Sequence, residues 1–451
     1  MKSFKGPMNS KELKSRSMPY KFLNRKIKNA FDVGINRLCL GCGACFSVCP
    51  EEKIKLVDVI DDGIRPFVSQ EGCKGCDICL QVCPGINTSI DKINDSKVVM
   101  DKRWGPILEM WEGYAADKEI RFKGSSGGLC TALSLFCLES DLASKVLHID
   151  RNSETPWKNV TVKSETREEL VARTGSRYAP AAPCDGLREI EENGTNSVFI
   201  GKPCDICGFR LVGKIKTQLA KQSALAIGFF CAGTPSTKGT LDLFKKYNTD
   251  PKDLADFRYR GMGWPGMATM TFKSKRAPVS ATYNESWGFV QKYRPLRCYL
   301  CPDLTAEFAD VSVGDPWYRE IGEHEPGRSI ILIRTEKGRE IFHKAMEHKY
   351  IVATPANSEI LYRSQVNLLS KRQAIWGRIL AMKALGVPVP HLEGFHLFQN
   401  WMDLPFMEKT KSIMGTARRI VQRNYFKPQR YTKPVESNNT WIAAKDSKYS
   451  R

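Results

Sequence analysis

The sequence lacks a long uncharged apolar run. A membrane-spanning helix needs about 18 such residues, whereas the longest apolar stretch here, residues 224–231, has the length of a strand. The N-terminal segment is basic but lacks the apolar centre of a secretory signal. We therefore expect no transmembrane segment and no Sec-type secretion, and we expect the protein to work in a reducing, cytoplasmic compartment.

Histidine is scarce, and motifs of several common protein classes are missing. The chain has 6 His residues, none of them in a metal-binding pattern. No Ser-His-Asp order or paired carboxylates indicate a hydrolase. No zinc-finger, helix-turn-helix or RNP pattern indicates a nucleic-acid partner. Both classes are therefore disfavoured.

Positive charge is concentrated in two tails. The chain has 69 Lys plus Arg against 49 Asp plus Glu, a net charge of +20. Residues 1–30 contribute +8 of this charge and residues 401–451 contribute +7, so the 370 residues between them are nearly neutral. We interpret the tails as solvated extensions. Contact with an anionic membrane surface, RNA or an acidic partner is the alternative.

The length of 451 residues suggests two or three domains of roughly 150 residues each. A cysteine-dense block contains the runs KIKLVDV and IRPFV around an Asp-Asp-Gly turn, which predicts a hairpin. From about 104 to 367, short apolar runs alternate with helical patterns, as is typical of a mixed α/β domain. We divide the chain into a basic tail (1–30), an iron-sulfur domain (31–98), an α/β domain (99–370) and a helical extension with a basic tail (371–451).

The cysteine-dense block contains the same four-cysteine run twice. Its spacing, C-x2-C-x2-C-x3-C-P, is typical of bacterial ferredoxins with two 4Fe-4S clusters, in which the fourth cysteine of each run binds the other cluster. A zinc ribbon, the alternative, uses two CxxC pairs and does not explain two runs that each end in proline. The predicted ligands are Cys39, Cys42, Cys45 and Cys83 for the first cluster, and Cys73, Cys76, Cys79 and Cys49 for the second.

Eight cysteines lie outside this block, and five of them lie near predicted strand ends or turns. Cys204 and Cys207 follow one apolar strand, Cys231 ends another, and Cys298 and Cys301 precede a polar turn. Strand ends of open α/β sheets form ligand sites, so these residues predict either a third 4Fe-4S cluster or a zinc site. Spacing alone leaves open which of Cys204, Cys207 and Cys231 is spare. The other three, which we interpret as buried core thiols, are Cys130, Cys137 and Cys184.

Six further motifs follow the double cysteine run. In chain order they are GSSGG (124–128), GSRYAP (175–180), GKPCDICG (201–208), FFCAGTPS (229–236), RYRGMGWPG (258–266) and RCYLCPDLTAEFADVSVGDPWY (297–318). Together they resemble the coenzyme F420 hydrogenase/dehydrogenase beta-subunit family, which includes the reductase acting on 7-hydroxymethyl chlorophyll a. The resemblance extends from the cysteine block to about residue 370. It is specific at the level of the family and much less so for the substrate.

The resemblance implies a flavoprotein that binds FAD and exchanges electrons through iron-sulfur clusters. It implies that a third 4Fe-4S cluster is held by Cys204, Cys231, Cys298 and Cys301. Cys207 departs from the family pattern, as a spare thiol or a substitute ligand. The residues assigned to the FAD site are Ser125, Ser126, Gly127, Gly128, Gly175, Ser176, Arg177, Tyr178 and Lys202.

Each part of this assignment has a structural alternative. Ser125 or Ser126 is expected to cap the following helix and to turn its N-terminus towards a pyrophosphate, but a Ser-capped core helix would have the same sequence. Arg177 and Tyr178 offer a cation and a ring for phosphate or isoalloxazine contact, or pack on the surface. Lys202 either stabilises a reduced flavin or cluster or is a solvated lysine at a strand end.

One GxGxxG string is not a dinucleotide fingerprint. It covers residues 261–266, but Trp264 and Pro265 stand where a helix should begin, and no apolar strand precedes it. We expect a tight turn there, near the cofactor or at the surface. Asp315 either faces the active site or caps the turn that follows it.

These features predict a flavin-binding α/β domain (α+β, mixed sheet) preceded by a small ferredoxin-like domain. The predicted function is that of an oxidoreductase that passes electrons between a low-potential donor, ferredoxin or reduced coenzyme F420, and an organic substrate through the clusters and FAD. The alternatives are an electron-transfer subunit of a larger redox complex, a redox accessory enzyme of surface-polysaccharide synthesis, and a regulatory iron-sulfur protein that binds nucleic acid or a membrane through its tails. A homo-oligomer is compatible with each alternative.

Overall fold

The computed structural model describes residues 21–22, 25–69, 73, 75–90, 98–320, 322, 325–431 and 441–442. Most of the N-terminal basic tail and the end of the C-terminal tail lie outside the described residues, so the expectations for those parts stay predictions. Among the described helices, none is long and apolar enough to cross a membrane.

The secondary structure alternates strands and helices along most of the described chain. The strands are β1 (Lys21–Phe22), β2 (Arg25–Lys26), β3 (Ile54–Val59), β4 (Gly63–Val68), β5 (Asn87–Ser89), β6 (Val99–Asp101), β7 (Gly105–Ile107), β8 (Glu109–Ala115), β9 (Lys145–Arg151), β10 (Asn159–Ser164), β11 (Ser197–Gly201), β12 (Ser223–Phe229), β13 (Leu254–Arg258), β14 (Ala268–Phe272), β15 (Val279–Ala281), β16 (Val311–Gly314), β17 (Ser329–Ile333), β18 (Ile351–Pro355), β19 (His391–Glu393) and β20 (Trp441–Ile442). The α-helices are α1 (Ala30–Ile35), α2 (Ala44–Val48), α3 (Ile78–Gln81), α4 (Lys118–Lys123), α5 (Leu129–Glu139), α6 (Arg167–Ala172), α7 (Leu187–Asn193), α8 (Pro203–Ile215), α9 (Thr217–Lys221), α10 (Thr237–Lys246), α11 (Tyr283–Val290), α12 (Glu336–Glu347), α13 (Ser358–Ser364), α14 (Val366–Gln373), α15 (Ile375–Ala384), α16 (Leu397–Met402) and α17 (Phe406–Gln422).

The cysteine-dense block folds around one hairpin and one short helix in each cysteine run. β3 and β4 pair antiparallel, which confirms the hairpin predicted from the alternating runs. α2 and α3 contain the last turns of the two runs and pack against each other. Gly41, Gly43 and Gly75 have φ values of +75°, +89° and +68°. Glycine adopts this left-handed backbone without a steric penalty, so both runs turn tightly around their cysteines.

An eight-stranded mixed sheet forms the centre of the α/β region. Its strand order is β10-β9-β11-β12-β16-β17-β8-β18. β9, β11, β12 and β16 run parallel to one another, whereas β10, β17 and β18 pair antiparallel with their neighbours. The mixed sheet confirms the α/β class, and the strands expected near residues 146–149, 197–201, 224–230 and 329–335 are all present.

Apolar side chains alternate along the central strands and cover both faces of the sheet. Ile331 and Ile333 pack in one core with α5 and α12, whereas Ile330 and Leu332 pack in another with α13 and α14. Phe199 of β11 belongs to a third core, which joins the sheet to α8 and to the cysteine-dense block. The sheet is therefore buried on both sides, as parallel strands require.

The carboxyl ends of the parallel strands meet at one edge of the sheet. β11, β12 and β16 end at Gly201, Phe229 and Gly314. Two of the six motifs, 201–208 and 229–236, begin at the ends of β11 and β12, and the motif at 297–318 contains β16 and ends four residues after it. In open α/β sheets, ligand sites form at this edge.

The C-terminal region is helical where the sequence predicts a helical extension, but it differs from one other expectation. α14 and α15 adjoin at Ala374; Leu369 packs against the sheet, whereas Met382 packs in a separate core with Ile420. Residues 406–422 were expected to belong to a solvated tail, but they form α17, which packs on α15. The solvated-tail expectation is therefore wrong for this segment.

Phe199→Ala should strongly lower the free energy of unfolding, because Phe199 lies in the core between the sheet and α8. Phe199 is 1% exposed and stacks on Phe209 with 4.7 Å between ring centroids. Removing a buried phenyl ring leaves a cavity and costs about 3–5 kcal/mol. Urea unfolding followed by far-ultraviolet circular dichroism should show this loss. Phe122→Ala, at a site that is 44% exposed, is the matched control, and equal losses in the two variants would contradict the prediction.

Candidate functional site

Four cysteines of the double run form a group in which Cys39 and Cys42 are buried and Cys45 and Cys83 are half-buried. The pKa of the Cys45 thiol is well above its ordinary value, first because the residue is buried and then because the thiols of Cys39, Cys42 and Cys83 lie nearby. Three of these residues come from the first run and Cys83 comes from the second. The structure thus brings together the four residues predicted to hold the first cluster.

The other four cysteines form a group that reaches the surface. Burial raises the pKa of Cys79 to about 12, and the thiols of Cys76, Cys49 and Cys73 also raise it. Cys73 and Cys76 are exposed, whereas Cys49 and Cys79 are half-buried. The predicted second cluster therefore corresponds to a group with one side open to solvent.

A third group of cysteines lies at the carboxyl edge of the sheet. Burial raises the pKa of Cys301, Arg297 opposes that shift, and the thiols of Cys298 and Cys231 add to it. Cys204 is half-buried. Desolvation raises its pKa, and the thiols of Cys301 and Cys231 raise it further. These are the four residues that the family resemblance implies.

Cys207 lies on α8 between the first and third groups. It is 4% exposed. Burial raises its pKa well above the ordinary value, and Asp303, Cys42 and Cys301 raise it further. Cys42 belongs to the first group and Cys301 to the third.

The cysteines are not arranged around single metal ions. Within the described ranges, no three Cys, His, Asp or Glu side chains converge on a point that one ion could occupy. A structural zinc ion needs four ligands around one centre, whereas the four thiolates of a 4Fe-4S cluster bind a cluster of several iron atoms. Zinc, the alternative that the sequence left open for the third group, is distinguished from a cluster by metal analysis.

One buried arginine joins the first and third groups. Arg297 is 1% exposed. It donates from Nε to the Gly85 carbonyl, from Nη2 to the Pro84 carbonyl and from Nη1 to the Leu300 carbonyl, each at 2.9 Å. Pro84 and Gly85 directly follow the last cysteine of the double run, and Leu300 directly precedes Cys301. The guanidinium therefore fixes the two cysteine loops against each other.

Cys184 provides a second link between these groups. Its backbone N–H donates to the Cys42 carbonyl at 3.0 Å, and its sulfur lies 3.3 Å from the carbonyl oxygen of Asp205. A hydrogen bond from Cys184 lowers the pKa of Cys42. Asp205 directly follows Cys204 on α8. The interpretation of Cys184 as a buried core thiol is confirmed, because it is fully buried in the core beside α8. It also spans the contact between two cysteine groups.

Cys130 and Cys137, which both lie on α5, differ in burial. Cys137 is fully buried in the core between α5 and the sheet, which confirms its assignment as a core thiol. Cys130 is half-buried and lines a cavity at the N-terminal end of α5. Its assignment to the core is wrong, because the first turn of α5 lies at the edge of the sheet.

A cavity of about 720 Å³ opens at the carboxyl edge of the sheet. Cys231 and the loop after it form one wall, so the cavity lies directly beside the third cysteine group. Gly127 does not line the cavity. It packs against the backbone of β8 instead, where a Cβ atom would lie 2.8 Å from the Gly113 carbonyl oxygen. The residues assigned to the FAD site that do line the cavity are Ser125, Ser126, Gly128, Gly175, Ser176, Arg177, Tyr178 and Lys202.

The serines of the GSSGG motif do not cap α5. The N-cap residue is Gly128, with φ +73° and no side-chain hydrogen bond. Ser125 Oγ accepts from the Ser176 backbone N–H at 2.6 Å, and the Ser126 hydroxyl donates to the Arg328 carbonyl. The capping prediction is wrong because both serines bind neighbouring loops. The first amides of a helix have no partner within the helix, and those of α5 lie at the cavity.

Arg177 is a structural residue rather than a free cation. Its guanidinium donates to Asn159 Oδ1 at 2.6 Å and to the carbonyls of Pro156 and Phe257 at 2.5 and 3.3 Å. Burial lowers its pKa. The protein thus satisfies most of its donors, which corrects the expectation of a phosphate-binding cation.

Lys202 is buried at the boundary between the cavity and the third cysteine group. Its Nζ lies 2.6 Å from Asp205 Oδ2 and 3.4 Å from the Ala181 carbonyl oxygen. Burial alone lowers the pKa of this lysine, but Asp205 and the thiol of Cys204 outweigh it, so the net pKa is raised. Lys202 is therefore not the solvated strand-end lysine that was the alternative.

Asp315 lies in the cavity wall and is held by two partners. Arg260 donates to both of its carboxylate oxygens, at 2.9 and 2.5 Å, and Trp264 Nε1 donates to Oδ1 at 2.8 Å. The Arg260 guanidinium also stacks on Tyr283 and Trp317, at 4.9 and 5.4 Å from the ring centroids. The structure supports the interpretation in which Asp315 faces the cavity.

The sequence analysis missed Arg260 and the aromatic rings around it. Arg260 and Trp264 stand in the RYRGMGWPG motif, and Trp317 stands in the longest motif, two residues after Asp315. Tyr178 adds a ring that lies 4.9 Å from Trp287. The motifs contained the signal, but the pairing of Arg260 with Asp315, 55 residues away, depends on the fold.

Known families match this chain over three stretches. Residues 110–187 match the model of the N-terminal part of the coenzyme F420 hydrogenase/dehydrogenase beta subunit, and residues 194–359 match the model of its C-terminal part. Together these two models cover more than half of the chain. This chain belongs to the coenzyme F420 hydrogenase/dehydrogenase beta-subunit family. Residues 34–90 match a 4Fe-4S dicluster domain, so the N-terminal block is a domain of that kind.

Several archaeal members of the family are similar in sequence. A coenzyme F420 hydrogenase subunit beta from Methanococcus voltae is 26% identical over 61% of this chain and 95% of its own length. The F420-dependent formate dehydrogenase 1 subunit beta of Methanococcus maripaludis is 24% identical over 55% of this chain and 62% of its own. A coenzyme F420-dependent sulfite reductase of Methanocaldococcus jannaschii is 26% identical over 70% of this chain and 47% of its own.

A solved structure shares the fold. It is a chain of the F420-reducing [NiFe] hydrogenase complex from Methanosarcina barkeri, which matches with a TM-score of 0.50 and 21% identity. The match covers 62% of this chain and 96% of that chain. The family and fold together show an iron-sulfur oxidoreductase of the beta-subunit type.

Arg297→Met should loosen the two cysteine loops that Arg297 holds together. The variant removes three donors and leaves the carbonyls of Gly85 and Leu300 without the donor that Arg297 supplies, each at a cost of about 1–3 kcal/mol. The Pro84 carbonyl keeps its hydrogen bond from the Thr88 hydroxyl. We expect a lower melting temperature and faster hydrogen exchange in residues 84–87 and 298–301. Arg339→Met removes an arginine that is 43% exposed and is the control. Equal exchange in the two variants would show that Arg297 does not join the loops.

Proposed function

We propose that this chain is an iron-sulfur flavoprotein oxidoreductase that passes electrons between a low-potential donor, ferredoxin or reduced coenzyme F420, and an organic substrate. One observation carries the proposal. The cavity of about 720 Å³ is walled by Cys231 of the third group. Cys207 lies near both Cys301 of the third group and Cys42 of the first, Cys45 of the first group lies near Cys79 of the second, and Cys73 and Cys76 of the second group are exposed. This order supports a path for electrons between a donor outside the protein and a substrate in the cavity.

Three 4Fe-4S clusters fit the cysteine groups. All three groups have four thiols, and each has buried or half-buried members, as cluster ligands require. We retain 31–98, 99–370 and 371–451 as the domain bounds. The proposed ligands are Cys39, Cys42, Cys45 and Cys83; Cys49, Cys73, Cys76 and Cys79; and Cys204, Cys231, Cys298 and Cys301.

The lining of the cavity fits FAD. Aromatic rings of Tyr178, Trp287 and Trp317 lie at its wall, and these offer flat apolar surfaces for a ring system. The N-terminus of α5 offers backbone amides to a pyrophosphate. Ser364 Oγ, also at the wall, is buried and has no hydrogen-bond partner in the described part of the chain, so it is available to a ligand.

The FAD site would be formed mainly by loops at the carboxyl edge of the sheet. Ser125, Ser126 and Gly128 on one side and Gly175 and Ser176 on the other would hold the dinucleotide. When bound, FAD exchanges electron pairs with organic molecules and single electrons with iron-sulfur clusters. This chemistry connects a one-electron path to a two-electron substrate.

The charged residues near the cavity would have three different roles. Lys202 places a buried positive charge between the cavity and the third cysteine group, where it would stabilise added negative charge on either side. Asp315 is held by Arg260 and Trp264, so this wall keeps a fixed polar group among aromatic rings. Arg297 would keep the first and third groups in place during electron transfer.

An electron-transfer subunit is the second candidate. Two relatives are named as subunits of F420-dependent enzymes, and the exposure of Cys73 and Cys76 suits contact with a protein partner. This chain would then turn over an organic substrate only when a partner enzyme is present. A self-contained enzyme would turn it over with the donor alone.

Anaerobic purification with iron, sulfide and flavin analysis tests the proposal. We expect about twelve irons per chain, four for each cluster, together with one FAD. Reduced ferredoxin or reduced coenzyme F420 should bleach the visible absorbance of the clusters and the flavin. Protein without flavin, or with fewer than about eight irons, would falsify the proposal.

The choice between Cys231 and Cys207 as fourth ligand gives a sharper test. We expect Cys231→Ser to lose about four irons, because it removes one of the four proposed ligands of the third cluster. Cys207→Ser is the matched control and should keep all of them. Iron analysis and electron paramagnetic resonance of the reduced proteins measure both results. The reverse pattern would transfer the ligand role to Cys207.

A further inference from the structure

Helix α17 carries several large apolar side chains on its outer face. Its inner face, which packs on α15, buries Ser412, Thr416 and Ile420, which are 6%, 4% and 1% exposed. On the outer face, Met407 and Met414 are each 64% exposed and Val421 is 61% exposed. The outer face of a helix on the surface of a globular protein is normally polar. The outer face of α17 therefore suits a surrounding less polar than water.

Basic residues lie between these apolar side chains. Met407, Met414 and Val421 recur at intervals of seven residues, and Lys411 and Arg418 stand between them at helical spacing. Residues at this spacing share one face of a helix. We call these five residues, together with Phe406, which is 79% exposed, the α17 stripe.

The surroundings of the stripe are strongly basic. Residues 406–431 contain seven Lys or Arg and one acidic residue, a net charge of +6. This segment carries much of the excess positive charge of the C-terminal region. It is therefore electrostatically complementary to an anionic surface.

A second helix is a poor partner for the stripe. A helix–helix seam that buried Met407, Met414 and Val421 would also bury Lys411 and Arg418, which occupy the alternate seam positions. Burying charges without matched partners is costly. Two copies of this basic segment would in addition repel each other.

An anionic lipid surface accommodates both kinds of side chain. Met and Phe can insert between the acyl chains, while Lys and Arg extend along their aliphatic stems to lipid phosphates. No described helix is long and apolar enough to cross a bilayer, so α17 would lie along the surface. We propose that the α17 stripe docks this protein on an anionic membrane surface.

Vesicle flotation of the anaerobically purified full-length chain tests this proposal. The probes are vesicles of equal parts phosphatidylcholine and phosphatidylglycerol, and vesicles of phosphatidylcholine alone. We expect binding to the first, weakened by salt, and at least tenfold weaker binding to the second. Met407→Ser with Met414→Ser, and Lys411→Gln with Arg418→Gln, should each reduce binding to anionic vesicles at least fivefold.

A charge-matched variant controls for general electrostatics. Lys252→Gln with Lys344→Gln removes two positive charges from other exposed positions, and Lys344 pairs with Glu340 as Lys411 pairs with Glu408. This variant should keep its vesicle binding, and circular dichroism should show that all variants fold.

Three results would overturn the proposal. The wild type could fail to bind anionic vesicles at low salt. The stripe variants could bind as well as the wild type, in which case another basic segment is responsible. Light scattering could instead show a dimer that Met407→Ser with Met414→Ser abolishes, without vesicle binding, which would assign the stripe to a second copy of the chain.

Discussion

The relative position of the first and third cysteine groups depends on a guanidinium group buried between them. Arg297 is enclosed by backbone carbonyl groups of both loops, and a buried charge persists only when its donors are satisfied. The cysteine-rich domain therefore cannot move away without exposing or orphaning that charge. Cys184 adds a second, weaker tie beside it. A path for electrons requires stable distances, and this pair of contacts provides them.

The same use of buried arginine recurs at the opposite strand ends of the sheet. Arg334, at the end of β17, donates to the carbonyls of Trp104, Pro106 and Thr305. The cavity edge is arranged differently: Arg260 is paired with a carboxylate and stacked between aromatic rings. Irregular loops are thus fixed by arginine–carbonyl contacts at one edge of the sheet, and by an ion pair at the wall of the cavity.

Much of the fold could be predicted from local sequence patterns. The hairpin, the central strands and the cross-run grouping of Cys39–Cys83 follow from alternation and spacing, because those properties are local. The errors arose where a residue's partner is distant in sequence. Ser125 was expected to cap α5 but binds the loop at Ser176, and the contact of the core thiol Cys184 with Cys42 was not predicted. Arg260 could not be paired with Asp315 without the fold.

The contact made by Arg297 has an evolutionary consequence. Its acceptors in the cysteine-rich domain are main-chain oxygens, which every amino acid possesses. Side chains beside this contact can therefore change without removing its acceptors, whereas Ala44, Val48 and Val82 are constrained by the core that they share with α8. Such a contact favours the exchange of one ferredoxin module for another with a similar backbone and a similar apolar face. A single fold could in this way acquire new electron donors while the cavity at its sheet edge stayed the same.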